Sequence, residues 1–361
     1  MVGNRLSSLN VSPYNYNSSN ELTSTPSGSY SYDNNGNRKS DPTGAQYTWD
    51  YENRLTQVVL AGSGGTVNFK YDPFGRRIQK AFTQNSTTTT TNYVYDDRDI
   101  LETTDQSGNV LARYTGTIGV DEPSSELVSG SMSYYEQDGI NSVTSLSNTV
   151  GALANTYTYD SYGKLTASTG TASNLFQYTG RDYDAESGLR YYRARYYDPV
   201  VGRFTGEDPL RFVSDVNFYR YVFNNPISFT DPLGLTCTCT YHQSTGAIRC
   251  VDDTTGDVVA QGTGYSGFGP GLNNPAAQAV PNTGPIPQGS YSMGSPTNRK
   301  GPTTIPLTPF PGTDTLGRSG FLIHGDNSQM NHTASHGCIV LSRDVRRVIA
   351  DCGGGTVSVE E

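Results

Sequence analysis

Apolar and polar residues alternate in short runs along the first two thirds of the chain. TVNFKYD (66–72) and TNYVYDD (91–97) are typical. A period of two turns one side chain in and the next out, so these runs predict half-buried β-strands. Tyr-Asp pairs recur at 32, 71, 95, 159, 183 and 197. Three continue into a turn with Gly: YDNNGNR (32–38), YDPFGRR (71–77) and YDSYGKL (159–165). Asp bonds its own turn and Gly accepts positive φ, so each unit predicts a hairpin. The poly-Thr stretch 87–91 is expected at a hairpin tip or loop. Further on the pattern changes. FLI (321–323) reads as a short buried strand with His324 at its end, and IVL (339–341) as a second. A polar loop ending in SHGC (335–338) joins them. Ser342 then caps a helix, with Asp344 at its positive end, Val345, Val348 and Ile349 on one face, and Gly353 ending it.

Composition sharpens this picture. The 361 residues include 40 Gly and 26 Tyr against 1 Trp and 4 Met, which favours strands and turns over helices. No apolar run approaches the roughly 20 residues of a membrane-spanning helix, and the start, MVGNRLSSLN, has no apolar core of a signal peptide. A net charge of -9 argues against nucleic acid and anionic membranes as partners. Usage is also uneven. Of the 26 Tyr, 23 lie before residue 236, whereas all five Cys and all four His lie after residue 235. Thiol or imidazole chemistry must therefore sit in a second module that begins near residue 236.

That module offers one constellation. A thiol with a nearby imidazole makes a nucleophile, because the imidazole removes the thiol proton. Cys338 and His324 are the pair, with His336 between them, and backbone N–H groups at Gly337 and Cys338 are expected to bind an oxyanion. His324, His332, His336 and Cys338 could instead ligate zinc, which makes a zinc-dependent cell-wall peptidase the alternative. No metal or other cofactor is expected on the first reading. Of the other cysteines, Cys239–Cys250 across CTYHQSTGAIRC is the preferred disulfide, and Cys237 and Cys352 remain for pairing.

The Tyr-Asp-x-x-Gly units, together with GLRYYRARYYDPVVGRFTGEDPL (188–210), resemble the Rhs/YD-repeat family over roughly residues 28–235. Long members wind such repeats into a β-shell around a toxic C-terminal domain. The repeats here are too few to close a shell, which implies the C-terminal end of a larger protein or a displaced fragment of one. PISFTDPLGL (226–235) is similar to the pattern that ends the Rhs core. The resemblance implies self-cleavage between Leu235 and Thr236 by an aspartyl group of Asp208, Asp231 and Arg195. Two carboxylates that share a site divide into acid and base.

SHGC with His324 upstream resembles the L,D-transpeptidase motif, and YSGFGPGLNN (265–274) and VPNTGPIPQGSY (280–291) resemble L,D-transpeptidase-like effectors of type VI secretion. The resemblance implies Cys338 as nucleophile, His324 as base, and Ser335, His336 and Gly337 as motif residues. Many members carry Arg two residues after the Cys. Val340 stands there, so Arg318 or Arg343 is expected to hold the substrate carboxylate. The expected fold is mainly β: a YD-repeat sheet (1–180), a core-end autoprotease region (181–235), and a small β-rich toxin domain with a short C-terminal helix (236–361). The expected function is an antibacterial effector acting on peptidoglycan stem peptides. It would be secreted by a specialised system without a signal peptide and act in the target periplasm. An immunity protein and a secretion-spike protein are its implied partners. A non-enzymatic surface or adhesion protein is the remaining alternative.

Overall fold

A computed structural model describes residues 3–361 apart from 9–10, 97, 118–120, 209–216, 228–229, 232–233, 235–236, 253–257, 295, 298 and 351–354. The chain is mainly β, as expected, and falls into two compact units. One is Met1–Asp208 with Asn217–Ile227, and the other is Pro209–Val216 with Ser228–Glu361.

In the first unit, fourteen strands from Ser31–Tyr32 to Leu165–Thr169 form one meander, each pairing with its neighbour in sequence. Alternation is realised directly: Tyr47, Leu55, Val58, Val67 and Phe69 point into one core cluster. The turns work as the sequence predicts. Asp72 Oδ1 accepts from the N–H groups of Phe74 and Arg76, both at 2.9 Å, and Gly75 takes φ +79°. The same turn is built at Asp33 and Asp160. It also recurs at Asp50, Asp105, Asp138 and Asn148, where no Tyr-Asp pair announces it. The poly-Thr stretch is not a tip. It opens the strand Thr87–Asp96, paired with Arg77–Gln84, and the turn falls on Asn85 and Ser86, both at positive φ.

Two later Tyr-Asp pairs have another role. They lie in a four-stranded sheet of Asp182–Asp184, Leu189–Tyr192, Arg195–Asp198 and Arg203–Phe204. Asp184 pairs with Arg77 at 2.6 Å and Asp198 with Arg38 at 2.7 Å, all four buried. Losing one partner of such a pair strands a buried charge. These bonds therefore fix the small sheet to the repeats.

The second unit contains β1 (Cys237–His242), β2 (Ala247–Asp252), β3 (Val258–Thr263), β4 (Tyr265–Ser266), β5 (Gly289–Met293), β6 (Ile305–Pro309), β7 (Leu322–His324), β8 (Ile339–Val340), α1 (Arg343–Ala350) and β9 (Gly355–Glu360). The strand order is β3-β2-β1-β9-β5-β6-β7-β8-β4. Cys239 and Cys250 face each other across β1 and β2 and form the preferred disulfide, and Cys237 is disulfide-bonded too. Ile248, Tyr291, Ile323, Ile339, Ile349 and Val357 fill the core. The helix begins where Ser342 predicts it and packs on β3. Gly262 there leaves room for Val345, whose Cγ2 would lie 2.8 Å from a Cβ.

Candidate active site

Strand register assembles the site. β7 and β8 run parallel, with Ile323 beside Ile339 and His324 beside Val340. β4 flanks β8 with Tyr265 beside Val340. Side chains in one row across a sheet share a face. His324, Val340 and Tyr265 therefore point the same way. Cys338 lies two residues before Val340, in the bend that leads into β8, and the Leu322 backbone of β7 hydrogen-bonds to it.

His324 is 2% exposed. Its Nδ1 lies 2.7 Å from the carbonyl of Gly325. A carbonyl only accepts, so Nδ1 carries the proton and Nε2 is the basic atom. Nε2 is buried and has no hydrogen-bond partner. Burial holds the imidazole below its ordinary value, against the pull of the Gly325 carbonyl. Burial also pushes the Cys338 thiol up. A hydrogen bond from the Leu322 backbone and the charges of Lys300 and Arg318 oppose it without winning. Both shifts favour a neutral thiol and a neutral imidazole at rest. Cys338 is half-buried and is the free cysteine among the described residues.

Ser335 organises the backbone around the thiol. Its hydroxyl donates to the Cys338 carbonyl at 2.7 Å and accepts from Gly267 N–H at 2.9 Å and Gly337 N–H at 3.1 Å. The Gly337 amide, expected to bind an oxyanion, is therefore engaged internally. Gly337 itself takes φ +115°, and a Cβ there would lie 1.8 Å from Arg318 Nη2. Only Gly fits, because Arg318 fills that space.

Arg318 in turn donates to the carbonyls of Gln278, Pro285, Gly284 and His336. In this structure it braces the loops around the thiol. Arg343 is exposed at the start of α1. His336 is exposed, with Nδ1 3.2 Å from the Asn282 carbonyl and its ring stacked on Phe268. His332 packs on the Tyr265 ring at 4.9 Å. Among the described residues no group of three potential ligands forms. The histidines are instead spread over separate backbone and ring partners, so the zinc alternative has no ligand cluster behind it.

Sequence reasoning missed a latch over this face. Tyr265 donates to Asp326 Oδ1 at 2.6 Å and accepts from Ala334 N–H at 3.1 Å. Asp326 Oδ2 accepts from His332 N–H at 3.2 Å. These bonds close the 326–334 loop onto the sheet. The only signal in the sequence was Tyr265 in the quoted YSGFGPGLNN segment.

Of the proposed self-cleavage residues, Arg195 and Asp208 are brought together at 3.1 Å, both buried. Arg195 also donates to the Phe218 carbonyl and lies over the Phe204 ring. Asp231 is buried. Leu235 and Thr236 lie outside the described residues.

Fold and site together define a YD-repeat β-protein that carries a thiol–imidazole module. Residues 3–227 match the Teneurin YD-shell model and residues 260–352 the Tlde1 domain model. The first match spans more than half of the chain, which belongs to the Teneurin YD-shell family. Relatives include the tRNA nuclease WapA of Bacillus subtilis (strain 168), 37% identical over 199 residues, or 52% of this chain and 8% of WapA. Another is the probable deoxyribonuclease RhsA of Dickeya dadantii, 31% identical over 225 residues, or 56% of this chain and 14% of RhsA. The chain thus spans a small part of these relatives. The crystal structure of TcdB2-TccC3-Cdc42 aligns with a TM-score of 0.49 and 20% identity, covering 62% of this chain and 13% of that one. The expected Rhs/YD-repeat kinship stands. Two of these relatives are named nucleases, and the chain shares only a small part of their length.

Proposed function

We propose that this chain is part of an Rhs-type antibacterial effector whose C-terminal module acts on peptidoglycan stem peptides as an L,D-carboxypeptidase or L,D-transpeptidase. The observation that carries the reading is the bare, buried Nε2 of His324 at the end of β7, the strand whose Leu322 backbone hydrogen-bonds to Cys338. The Tlde1 match over residues 260–352 spans both residues.

In this mechanism His324 Nε2 takes the thiol proton as Cys338 Sγ attacks the L,D-linked carbonyl of a tetrapeptide stem. The S–C bond forms and the peptide C–N bond breaks. The proton passes from Nε2 to the departing amine, which leaves as D-Ala. Water then cleaves the thioester to a tripeptide, or a second amine takes its place and gives exchange. The Gly325 carbonyl holds the imidazole in the required tautomer throughout. Self-cleavage after Leu235 by Asp208, Asp231 and Arg195 would release the module. Action in a target periplasm, with an immunity protein and a secretion-spike protein as partners, belongs to the same reading.

The test is mass analysis of muropeptides incubated with the full chain and with its Cys338→Ala variant. Conversion of tetrapeptides to tripeptides or exchanged products, lost in the variant, is the expected result. Parallel incubations with tRNA and duplex DNA address the activities for which the relatives are named. Unchanged muropeptides from folded, reduced protein, with degraded nucleic acid, would overturn the cell-wall reading.

A further inference from the structure

His324 ends β7 and Cys338 stands just before β8, so the chain from 325 to 337 joins the proposed base to the proposed nucleophile. Within it, residues 326–334 are knitted to themselves. Asn327 Nδ2 donates to Asn331 Oδ1 at 2.8 Å and to Thr333 Oγ1 at 2.7 Å. Met330 N–H donates to the Asn327 carbonyl, and Gln329 N–H to Asn327 Oδ1, both at 3.0 Å. Residues 328–333 are exposed. Among the described residues, the hydrogen bonds that tie 326–334 to the rest of the fold all end on one atom, the phenol oxygen of Tyr265.

That oxygen holds both ends of the segment. It donates to Asp326, two residues past His324, and accepts from Ala334 N–H, four residues before Cys338. Asp326 spreads the tie by accepting from Asn327 N–H at 2.8 Å and from His332 N–H at 3.2 Å. Tyr265 itself is fixed. It is buried, and β4 pairs with β8 through Tyr265–Val340 and Ser266–Ile339. Two residues on, Gly267 N–H donates to the Ser335 hydroxyl, which donates to the Cys338 carbonyl. The start of the segment, its end and the turn that carries the thiol are therefore all referred to β4. A phenol offers a donor and an acceptor on one rigid ring, so it fixes the span between Asp326 and Ala334 with no flexible link.

We propose that Tyr265 is a positioning residue for the thiol–imidazole reaction: by holding both ends of the 326–334 loop it sets how His324 Nε2 meets Cys338 Sγ. The assignment rests on the reaction proposed above. It adds a residue that touches neither reacting atom, and rates of bound reactants depend steeply on such alignment.

The test uses the full chain and a synthetic tetrapeptide stem. Tyr265→Phe keeps the ring, its packing on His332 and the β4 pairing, and removes only the oxygen. It should lower kcat about tenfold, the scale of one charge-assisted hydrogen bond, and leave KM within about twofold. Asp326→Ala should do the same, Asp326→Asn should retain most of the rate, and Tyr265→Phe with Asp326→Ala should lose no more than either alone, because both remove one contact. Hydrogen exchange in peptides spanning 326–334 should quicken about tenfold in Tyr265→Phe, with Cys237–His242 unchanged. An unchanged kcat, with or without faster exchange, overturns the assignment, as do losses that add in the double variant. If the wild-type chain turns over no tetrapeptide, the peptidoglycan reading falls, and alkylation of Cys338 by iodoacetamide at pH 7 decides the positioning by itself. A rate that drops severalfold in Tyr265→Phe upholds it, and an unchanged or raised rate overturns it.

Discussion

Replacing Ser335 by Ala isolates what the hydroxyl does. Ser335 is fully buried, and one oxygen satisfies two N–H donors, at Gly267 and Gly337, and one acceptor, the Cys338 carbonyl. Alanine keeps the shape and removes all three bonds. A buried backbone group left without a partner costs about 1–3 kcal/mol. Even at the low end, three groups bring the cost to about 3 kcal/mol, or roughly a hundredfold in a local opening equilibrium. The cost falls on the turn that presents Cys338, since β7, β8 and the core below them keep their own bonds. Hydrogen-exchange mass spectrometry of the full chain reads this directly. Peptides spanning Gly267 and Gly337 should exchange about a hundredfold faster in Ser335→Ala, while peptides from Cys237–His242 and Gly355–Glu360 stay at wild-type rates. Ser335→Thr keeps the oxygen and should stay near wild type. Unchanged exchange at both glycines in a folded Ser335→Ala protein would refute the reasoning and would mean that the hydroxyl is not what holds this turn.

Two further outcomes test the electrostatics. Burial pushes the Cys338 thiol above its ordinary value, so its alkylation by iodoacetamide should keep rising with pH beyond about 9, the ordinary thiol region. A plateau reached near neutrality would show a resting thiolate and contradict the neutral pair. In the repeat unit, burial pushes the Glu126 carboxyl up to about 7, with the Tyr135 hydroxyl 2.6 Å away pulling the other way. The folded state therefore holds a proton that the unfolded chain releases near pH 4.5. That stabilisation is complete below pH 4.5 and is lost as pH rises through about 7, a change of about 3 kcal/mol. Calorimetry of the full chain should show the melting of this unit shifting by several °C between pH 5 and 8, and Glu126→Gln should flatten it. Equal pH dependence in the two proteins would refute the assignment.

How much of this was legible in the sequence depends on how local each signal is. The Asp-x-x-Gly turns were legible because Asp and Gly suffice to build them. The turns at Asp50 and Asp138 were missed because Asn53 and Asn141 take the positive φ in place of Gly, and no Tyr precedes the Asp. The motif tracked a companion residue, whereas the turn chemistry needs only a side-chain oxygen and a left-handed position. His324 and Cys338 were legible as strand-end residues, since each follows or precedes a short apolar run. The pairing of the strands that they flank was not, because a parallel pairing of 323 with 339 leaves no local pattern. Tyr265, 61 residues before Asp326, belongs to the same class: its role exists only once the sheet order is set. Arg318 is a further case. Its four backbone carbonyls come from Gln278, Gly284, Pro285 and His336, and no local pattern around residue 318 announces them.

The neutral resting pair also makes sense of the other cysteines. Disulfides exchange through attack by a thiolate, at a rate that depends on its population and on access to the sulfurs. Cys338 is kept as a thiol by burial, and Cys239 and Cys250 are fully buried while Cys237 is nearly so. Both terms of the exchange rate are therefore small. A buried, un-ionised thiol can therefore share one small core with disulfide-bonded cysteines, and on the proposed mechanism it ionises when His324 Nε2 takes its proton. The same arrangement explains why His324 sits inside β7 and not in the loop. A base in the loop would be solvated, and its ordinary imidazole value would leave it partly protonated in mildly acidic surroundings. Within the strand, burial keeps Nε2 unprotonated, and the Gly325 carbonyl fixes which nitrogen is free. On the proposed mechanism the sheet supplies the base and the Ser335 turn the nucleophile.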